Sequence, residues 1–256
     1  MPTIVAGGHR LDLDTVPPAD PGLPTVVFLH EGLGSRSLWR GFPRHVHAAL
    51  GYGTLSYSRW GYGASDARPG DWPTSFMHDE AIHVLPEVLA RAGQTTPPVL
   101  FGHSDGGSIA LIFAAHYPGS VRAVVTEAAH VMVEAVTVAS IAEARDRYQS
   151  GELRARLTRH HGEGTDSLFA GWSGAWLSPA FRQWDIRALL PAVRCPVLAI
   201  QGRDDRYGTR AQVDAIVAGA GGPVTPLLLD HCGHAPHAEQ PDGVLAAVVA
   251  FLTNRS

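Results

Sequence analysis

The chain has 256 residues, of which 45% are apolar and 17% are charged, which is enough to build one hydrophobic core in a single domain. The net charge of −4 argues against nucleic acid as the main partner, because phosphate binding requires a clustered basic surface. All 20 basic residues are arginine, which excludes lysine Schiff bases, pyridoxal-phosphate lysines and P-loop nucleotide sites.

The ends of the chain carry no pattern typical of export or membrane insertion. Met1–Leu11 lacks the basic start and long apolar run of a secretory signal. The late apolar run Val244–Leu252 is too short to cross a bilayer, which needs about 20 residues. Two cysteines, Cys195 and Cys232, do not indicate a disulfide framework. The sequence therefore predicts a soluble protein of a reducing bacterial cytoplasm, with no membrane partner.

Short apolar runs rich in Val, Ile and Leu recur along the chain and predict strands buried on both faces. These runs are Thr25–Leu29, Tyr52–Tyr57, Val99–Gly102, Val121–Thr126, Pro196–Gln201 and Val224–Leu229. Helical patterns lie between them, at Leu38–Leu50, Ser75–Ala92, Asp105–Tyr117, Arg210–Ala218 and Gly243–Thr253. The alternation predicts an α/β fold, with a mostly parallel open sheet flanked by helices on both faces.

One segment, residues 131–184, has helical periodicity but no convincing strand. We interpret it as a helical cap inserted into a core made of residues 1–130 and 185–256. The aromatic side chains in its second half, Trp172, Trp176, Phe181 and Trp184, must bury apolar surface. We expect Trp172, Trp176 and Phe181 to line a substrate pocket, although seating the cap on the core would equally explain each of them.

The segment Gly102-His103-Ser104-Asp105-Gly106 stands between a predicted strand and a predicted helix. Its two glycines permit a tight strand-to-helix turn that would expose the Ser104 hydroxyl at the carboxyl edge of the sheet. We therefore predict Ser104 as a nucleophile. The alternative is a glycine-rich turn in which Ser104 only caps the helix.

A serine nucleophile needs a base, and the base needs a carboxylate to orient it. His234 follows the last predicted strand, while Asp204 and Asp205 follow the preceding one. All three residues are therefore expected at the same sheet edge as Ser104. The chain order of serine, aspartate and histidine is the order found in α/β-hydrolase triads.

Three further segments resemble loops of the α/β-hydrolase fold superfamily. They are His30-Glu31-Gly32-Leu33-Gly34-Ser35 after the first strand, the Arg-x-Gly-x-Gly-x-Ser-Asp turn within residues 58–66, and Gly233-His234. The resemblance extends over almost the whole chain and implies a serine hydrolase with a helical cap. It assigns the catalytic acid to Asp205 and leaves Asp204 as a solvated or loop-bracing carboxylate.

Backbone N–H groups that stabilise the reaction's oxyanion are expected from two loops. One is the N–H of Asp105, at a helix N-terminus, and the other belongs to Glu31 or Gly32, with the resemblance favouring Gly32. Related chains often have glycine at the Glu31 position. A carboxylate here would repel the negative charge of the oxyanion unless the Glu31 side chain turns away. The Asp105 side chain is expected to cap the helix instead of facing the oxyanion.

Other ionisable residues receive secondary interpretations. His103 is expected to pack beneath the turn, and Glu127, just past a strand, is the reserve candidate for the acid. The histidines and cysteine of residues 231–237 match no strong zinc spacing, so no metal site is predicted.

The predicted function is hydrolysis of a carboxylic ester of a small hydrophobic or aromatic substrate, through an acyl-enzyme and without a cofactor. The sequence leaves open a carbon–carbon hydrolase with the same triad, a haloperoxidase-like or perhydrolase activity, and a non-catalytic ligand-binding protein. The expected partner is a small-molecule substrate, with a homodimer as the candidate assembly.

Overall fold

A computed structural model describes residues 2–253, and an eight-stranded sheet forms its centre. The strands are β1 (Thr3–Ala6), β2 (His9–Val16), β3 (Thr25–Leu29), β4 (Gly53–Tyr57), β5 (Val99–His103), β6 (Ala123–Glu127), β7 (Val197–Gly202) and β8 (Val224–Leu229). Their order across the sheet is β1-β2-β4-β3-β5-β6-β7-β8. Strands β3 to β8 pair in parallel, whereas β1 and β2 are antiparallel to their neighbours. The predicted mostly parallel sheet is therefore confirmed.

Ten α-helices lie between or after the strands within the described residues. They are α1 (Phe42–Leu50), α2 (Phe76–Asp79), α3 (Leu85–Arg91), α4 (Asp105–His116), α5 (Ala135–Gln149), α6 (Glu152–His161), α7 (Thr165–Leu177), α8 (Arg210–Gly219), α9 (Pro236–Glu239) and α10 (Pro241–Thr253). A π-helical turn at Glu80–Val84 joins α2 to α3, so the predicted helix over residues 75–92 is interrupted by this turn. None of the described helices is long and apolar enough to span a bilayer.

Alternate side chains of the central strands divide the core into two layers. On β3, Val26 and Phe28 belong to the layer that includes Val46 of α1 and Val248 of α10. The intervening residue Val27 belongs to the larger layer on the opposite face, with α3, α4 and α8. Each central strand is buried on both faces, which explains why its sequence is a continuous apolar run.

The structure differs from the predicted secondary structure at two places near the amino terminus. The hairpin β1–β2 was not predicted, because its second strand carries aspartates in alternation with leucines and forms no apolar run. Gly7 and Gly8 form its turn, both with positive φ. The predicted helix over residues 38–50 begins only at Phe42, because Arg40 has a left-handed φ of 52° that interrupts the helical path.

Residues 131–184 contain α5, α6, α7 and a 3-10 turn at Ala180–Gln183. An antiparallel bridge joins Met132 to Asp185, at the two ends of this segment. The Val133 N–H donates to the Trp184 carbonyl, at 3.2 Å, so the chain leaves and re-enters the sheet at one point. This closure supports our proposal that residues 131–184 form a cap on a core of residues 1–130 and 185–256.

Candidate active site

Ser104 lies in a sharp turn between β5 and α4, with φ 52° and ψ −117°. Only glycine fits two residues before it and two residues after it. A Cβ atom on Gly102 would lie 2.2 Å from the Gly106 carbonyl oxygen, and one on Gly106 would lie 1.9 Å from the Leu29 carbonyl oxygen. The Ser104 hydroxyl makes no capping hydrogen bond to α4, although the residue occupies the N-cap position. The turn instead presents Oγ at the carboxyl edge of the sheet.

The structure brings together the three residues predicted for the triad. His234 Nε2 lies 3.0 Å from Ser104 Oγ, which is hydrogen-bond distance. His234 Nδ1 lies 2.9 Å from Oδ1 and 2.8 Å from Oδ2 of Asp205. The carboxylate thus fixes the proton on Nδ1 and leaves the Nε2 lone pair directed at the serine hydroxyl.

Asp205 is held by more than its histidine. Its side chain is fully buried, and it accepts hydrogen bonds from Gln201 Nε2, at 2.6 Å, and from the Tyr207 N–H, at 2.7 Å. Burial alone would raise the pKa of Asp205, but the hydrogen bond and charge of His234 and the Tyr207 N–H bring it below its ordinary value. Asp204, the alternative left open by spacing, is exposed. The geometry therefore places Asp205 against the histidine.

A buried arginine organises the loop after β3. Arg59 donates from Nη1 to the His30 carbonyl, at 2.5 Å, and from Nη2 to the Glu31 carbonyl, at 3.1 Å. The Glu31 carbonyl also accepts from the Gly34 N–H and from His30 Nδ1. With both carbonyls engaged, the peptide orientation that precedes Gly32 is fixed.

The Asp105 side chain does not cap α4, so this expectation was wrong. Its carboxylate accepts a hydrogen bond from Trp172 Nε1 at 3.2 Å, and the indole lies directly against Gly32. A Cβ on Gly32 would stand 2.1 Å from Trp172 Nε1 and 2.9 Å from Asp105 Oδ2. Burial raises the pKa of Asp105 to about 6, although the positive charge of Arg59 and the Trp172 hydrogen bond act in the opposite direction.

The Glu31 carboxylate lies against His103. Glu31 Oε2 lies 3.4 Å from His103 Nδ1, which is ion-pair distance but longer than a good hydrogen bond. His103 Nε2 donates to the His234 carbonyl at 2.6 Å. His103 is thus buried beneath the turn, as predicted, and it also links the loop of Glu31 to the loop of His234. Burial would lower the pKa of His103, but the adjacent carboxylate of Glu31 raises it to about 9.

This ion pair predicts a pH-dependent contribution to stability. Because the folded pKa of His103 lies above its ordinary value of 6.5, its imidazolium stabilises the fold below that pH, and the contribution disappears as the pH rises through about 9. In urea melts, Glu31→Gln should lower the free energy of unfolding by on the order of 2 kcal/mol near neutral pH, and by little at about pH 10. The exposed Glu143, whose Oε2 is 3.8 Å from Arg206, gives the control Glu143→Gln. An equal loss for Glu31→Gln at both pH values would contradict the role of the pair.

A cavity of about 210 Å³ lies above the serine, and its wall includes Gly32 and Asp105, the residues predicted for the oxyanion site. Trp172 and Trp176 form part of its wall, as expected. Phe181 was wrongly assigned to this wall. It is fully buried behind Trp176, with ring centroids 4.7 Å apart, and stacks on Trp184 at 5.5 Å. Three residues not predicted from the sequence, Thr137, Ile141 and Tyr207, also line the cavity.

His130 is a further cavity residue that sequence reasoning passed over. Its Nε2 donates to the Tyr207 carbonyl at 3.1 Å, and its ring lies 6.0 Å from that of His234. Burial, and then the positive charge of His234, lower the pKa of His130 to about 4. His130 is therefore neutral near pH 7 and does not compete with His234 for a proton.

Glu127, the reserve candidate for the acid, is engaged elsewhere. Its Oε2 lies 2.7 Å from His237 Nδ1, and both side chains are buried. Its backbone carbonyl accepts from the Ser104 N–H at 2.8 Å. Glu127 thus supports the turn that carries Ser104, while Asp205 is the carboxylate that contacts His234.

Comparison with known proteins identifies the family of the chain. The model of the alpha/beta hydrolase family matches residues 26–247. Serine hydrolase BPHL of Mus musculus is 32% identical over 163 residues, which are 61% of this chain and 55% of the mouse protein. The chain thus spans about half the length of this curated relative. A 2-succinyl-6-hydroxy-2,4-cyclohexadiene-1-carboxylate synthase of Klebsiella pneumoniae is 24% identical, over 91% of this chain and 96% of that protein.

Solved structures share the fold at low sequence identity. The crystal structure of VinJ has a TM-score of 0.80 and 21% identity, and covers 100% of this chain and 98% of its own. A meta-cleavage product hydrolase from Pseudomonas fluorescens IP01 has a TM-score of 0.77 and 19% identity, with 100% and 98% coverage. Because the family model matches residues 26–247, which is well over half of the sequence, the chain belongs to the alpha/beta hydrolase family.

Proposed function

We propose that the protein is a serine hydrolase that cleaves carboxylic esters of small hydrophobic or aromatic substrates through an acyl-enzyme. The contact that carries this proposal is the 3.0 Å approach of His234 Nε2 to Ser104 Oγ, with Asp205 on the other ring nitrogen. The likeness to the curated serine hydrolase BPHL supports it.

In the proposed reaction, His234 accepts the hydroxyl proton as Ser104 Oγ attacks the carbonyl carbon of the ester. Asp205 stabilises the resulting imidazolium without taking its proton. The leaving alcohol departs with the proton of His234, and the acyl group stays on Ser104. Water then gives a proton to His234 and attacks the acyl carbon. As the bond from the acyl carbon to Ser104 Oγ breaks, His234 returns that proton to Oγ, which releases the acid and restores the serine.

The tetrahedral oxyanion would be held by the backbone N–H groups of Asp105 and Gly32. Asp105 is the first residue of α4, where N–H groups have no intrahelical acceptor and the helix dipole favours negative charge. Arg59 anchors the Glu31 carbonyl, and this fixes the peptide that carries the Gly32 N–H. The preference for the Gly32 N–H over the Glu31 N–H rests on the resemblance of this loop to those of the alpha/beta hydrolase family.

Replacing Gly32 by alanine should lower kcat by about 10²- to 10³-fold, because the added methyl displaces Trp172 and shifts the N–H donor. The control is Gly174→Ala, since Gly174 has open space around its Cα and should tolerate a methyl group. Steady-state kinetics with p-nitrophenyl butyrate, together with circular dichroism, would measure both variants. A folded Gly32→Ala enzyme with the kcat of wild type would remove Gly32 from the oxyanion site.

A fluorophosphonate probe tests the class of function, because it reacts with an activated serine and not with a merely ligand-binding cavity. We expect labelling at Ser104, located by mass spectrometry of the tryptic or glutamyl peptide. A carbon–carbon hydrolase would use the same triad on a vinylogous diketone. Parallel assays with an aryl ester and a dienone ring-fission product therefore distinguish the two reactions, and exclusive turnover of the dienone would replace the ester proposal.

A further inference from the structure

A second cavity, of about 300 Å³, adjoins the catalytic one. The two cavities share Glu31, Leu33 and Arg156 in their walls. A molecule whose reacting group lies at Ser104 could therefore extend past Arg156 into the second space. The proposed mechanism uses nothing in this second cavity.

Three arginines line the second cavity, namely Arg40, Arg156 and Arg159. Among the ion pairs of residues 2–253, none involves any of these three guanidinium groups. Their charges converge on His160. Burial and then the positive charge of Arg159 lower the pKa of His160, Glu31 acts in the opposite direction, and Arg40 and Arg156 lower it further. The cavity is thus a concentration of positive charge in a chain whose net charge is negative.

The one carboxylate in this wall does not cancel the positive charge. Glu31 Oε2 lies 3.4 Å from His103 Nδ1, and the raised pKa of His103 keeps that imidazole cationic near neutral pH. The pair is therefore neutral overall, and the three arginines retain a net field toward the cavity. An anion that enters this cavity is therefore attracted by the three arginines, because the charge of Glu31 is balanced by His103.

Besides His160, the remaining walls are formed by leucines. Leu153 and Leu157, both buried on α6, and Leu38 face the same space. A cavity with leucine walls and an arginine rim suits a hydrocarbon chain that ends in a charged oxygen group. Guanidinium groups bind carboxylate and phosphate oxygens through paired N–H donors, so either group would satisfy the rim.

We propose that this second cavity is an anion subsite, which binds a carboxylate or phosphate group at the far end of an ester substrate whose carbonyl lies at Ser104. The inference rests on the proposed esterase function and narrows its substrate class to esters of acids that carry a second, anionic group.

The test compares two p-nitrophenyl esters of the same chain length, one ending in a carboxylate and the other in a neutral methyl ester. A series of graded chain lengths locates the best spacing. Wild-type enzyme at low salt should show a kcat/KM about tenfold higher for the anionic ester, equal to roughly 1.4 kcal/mol. Raising the salt to about 0.5 M should reduce this preference, because the arginines are exposed to solvent.

Arg159→Gln and Arg40→Gln should each reduce kcat/KM for the anionic ester several-fold and leave the neutral ester unaffected. The matched control is Arg122→Gln, which removes the same charge just before β6, at the opposite edge of the sheet. A third ester that ends in a phosphate monoester distinguishes the source, because the group with the larger arginine-dependent preference is the native one. Equal kcat/KM for all three esters in wild type, unaffected by Arg159→Gln, would overturn the subsite.

Failure of the subsite differs from failure of the catalytic proposal. Ser104-dependent hydrolysis of the neutral ester without any charge preference would refute the subsite alone. If neither ester is hydrolysed, binding of the anionic and neutral p-nitrophenyl esters to the Ser104→Ala protein, followed by calorimetry, still decides the subsite. Tighter binding of the anionic ester that Arg159→Gln abolishes would then support it, and equal binding would refute it.

Discussion

Replacement of Ser104 by alanine is expected to reduce ester turnover by about 10⁴- to 10⁶-fold, because Ser104 Oγ is the hydroxyl that His234 Nε2 contacts. The burst of p-nitrophenol that accompanies acylation should disappear, and the fluorophosphonate label with it. The fold should persist, since the Ser104 hydroxyl does not cap α4. Stopped-flow absorbance and circular dichroism would measure the two effects.

Ser108 provides a matched control on the same helix. It is buried one turn after Ser104, and its hydroxyl donates to the His130 carbonyl at 2.6 Å and makes no contact with His234. Ser108→Ala should lose about 1 kcal/mol of stability and keep most of its turnover. The serine nucleophile would have to be abandoned if Ser104→Ala retained wild-type activity while folded.

The pair Asp205→Asn and Asp204→Asn separates the two carboxylates that the sequence places side by side. Asp205→Asn should lower kcat by about 10⁴-fold, because the amide no longer fixes the His234 tautomer and leaves Nε2 unable to accept a proton. Asparagine also offers one acceptor oxygen where Asp205 accepts from Gln201, Tyr207 and His234.

Asp204→Asn should remain within about threefold of wild type, because that side chain is exposed to solvent. The measurement is kcat/KM against pH, with thermal melts to show that both variants fold. Similar losses in the two variants would contradict the assignment of Asp205, as would full activity of Asp205→Asn.

The sheet was predictable because its central strands are buried on both faces. The run Thr25–Leu29 is buried throughout, and it begins and ends where the structure has it. Val224–Leu229 also has its predicted bounds, but it forms the edge strand β8, whose residues are half-buried or exposed, so the predicted burial on both faces was wrong there. The β1–β2 hairpin lacked that signal, since one of its strands alternates polar and apolar residues. The Gly7-Gly8 pair, which is typical of a two-residue hairpin turn, was the available sign.

The triad contacts were predictable for a related reason. Ser104, Asp205 and His234 each follow a strand of one parallel sheet, so their strand ends meet at one edge. Orientation within the site was not predictable, as the Asp105 side chain shows. Its contact with Trp172 joins α4 to α7, and nothing in the local sequence sets the position of α7 relative to α4. Phe181 was misplaced for the same reason, because cap packing decides which aromatic ring faces the cavity.

The bridge between Met132 and Asp185 has a consequence for how substrate preference can change. Gln212 Oε1 accepts from the Val131 N–H at 2.7 Å, so a side chain of α8 also anchors the departure point of the cap. Because both chain crossings are fixed there, we propose that the helices between them can be replaced as one unit. A chimera that grafts another cap between these crossings would present a new pocket roof to an unaltered nucleophile, so selectivity and reactivity can evolve separately in this scaffold.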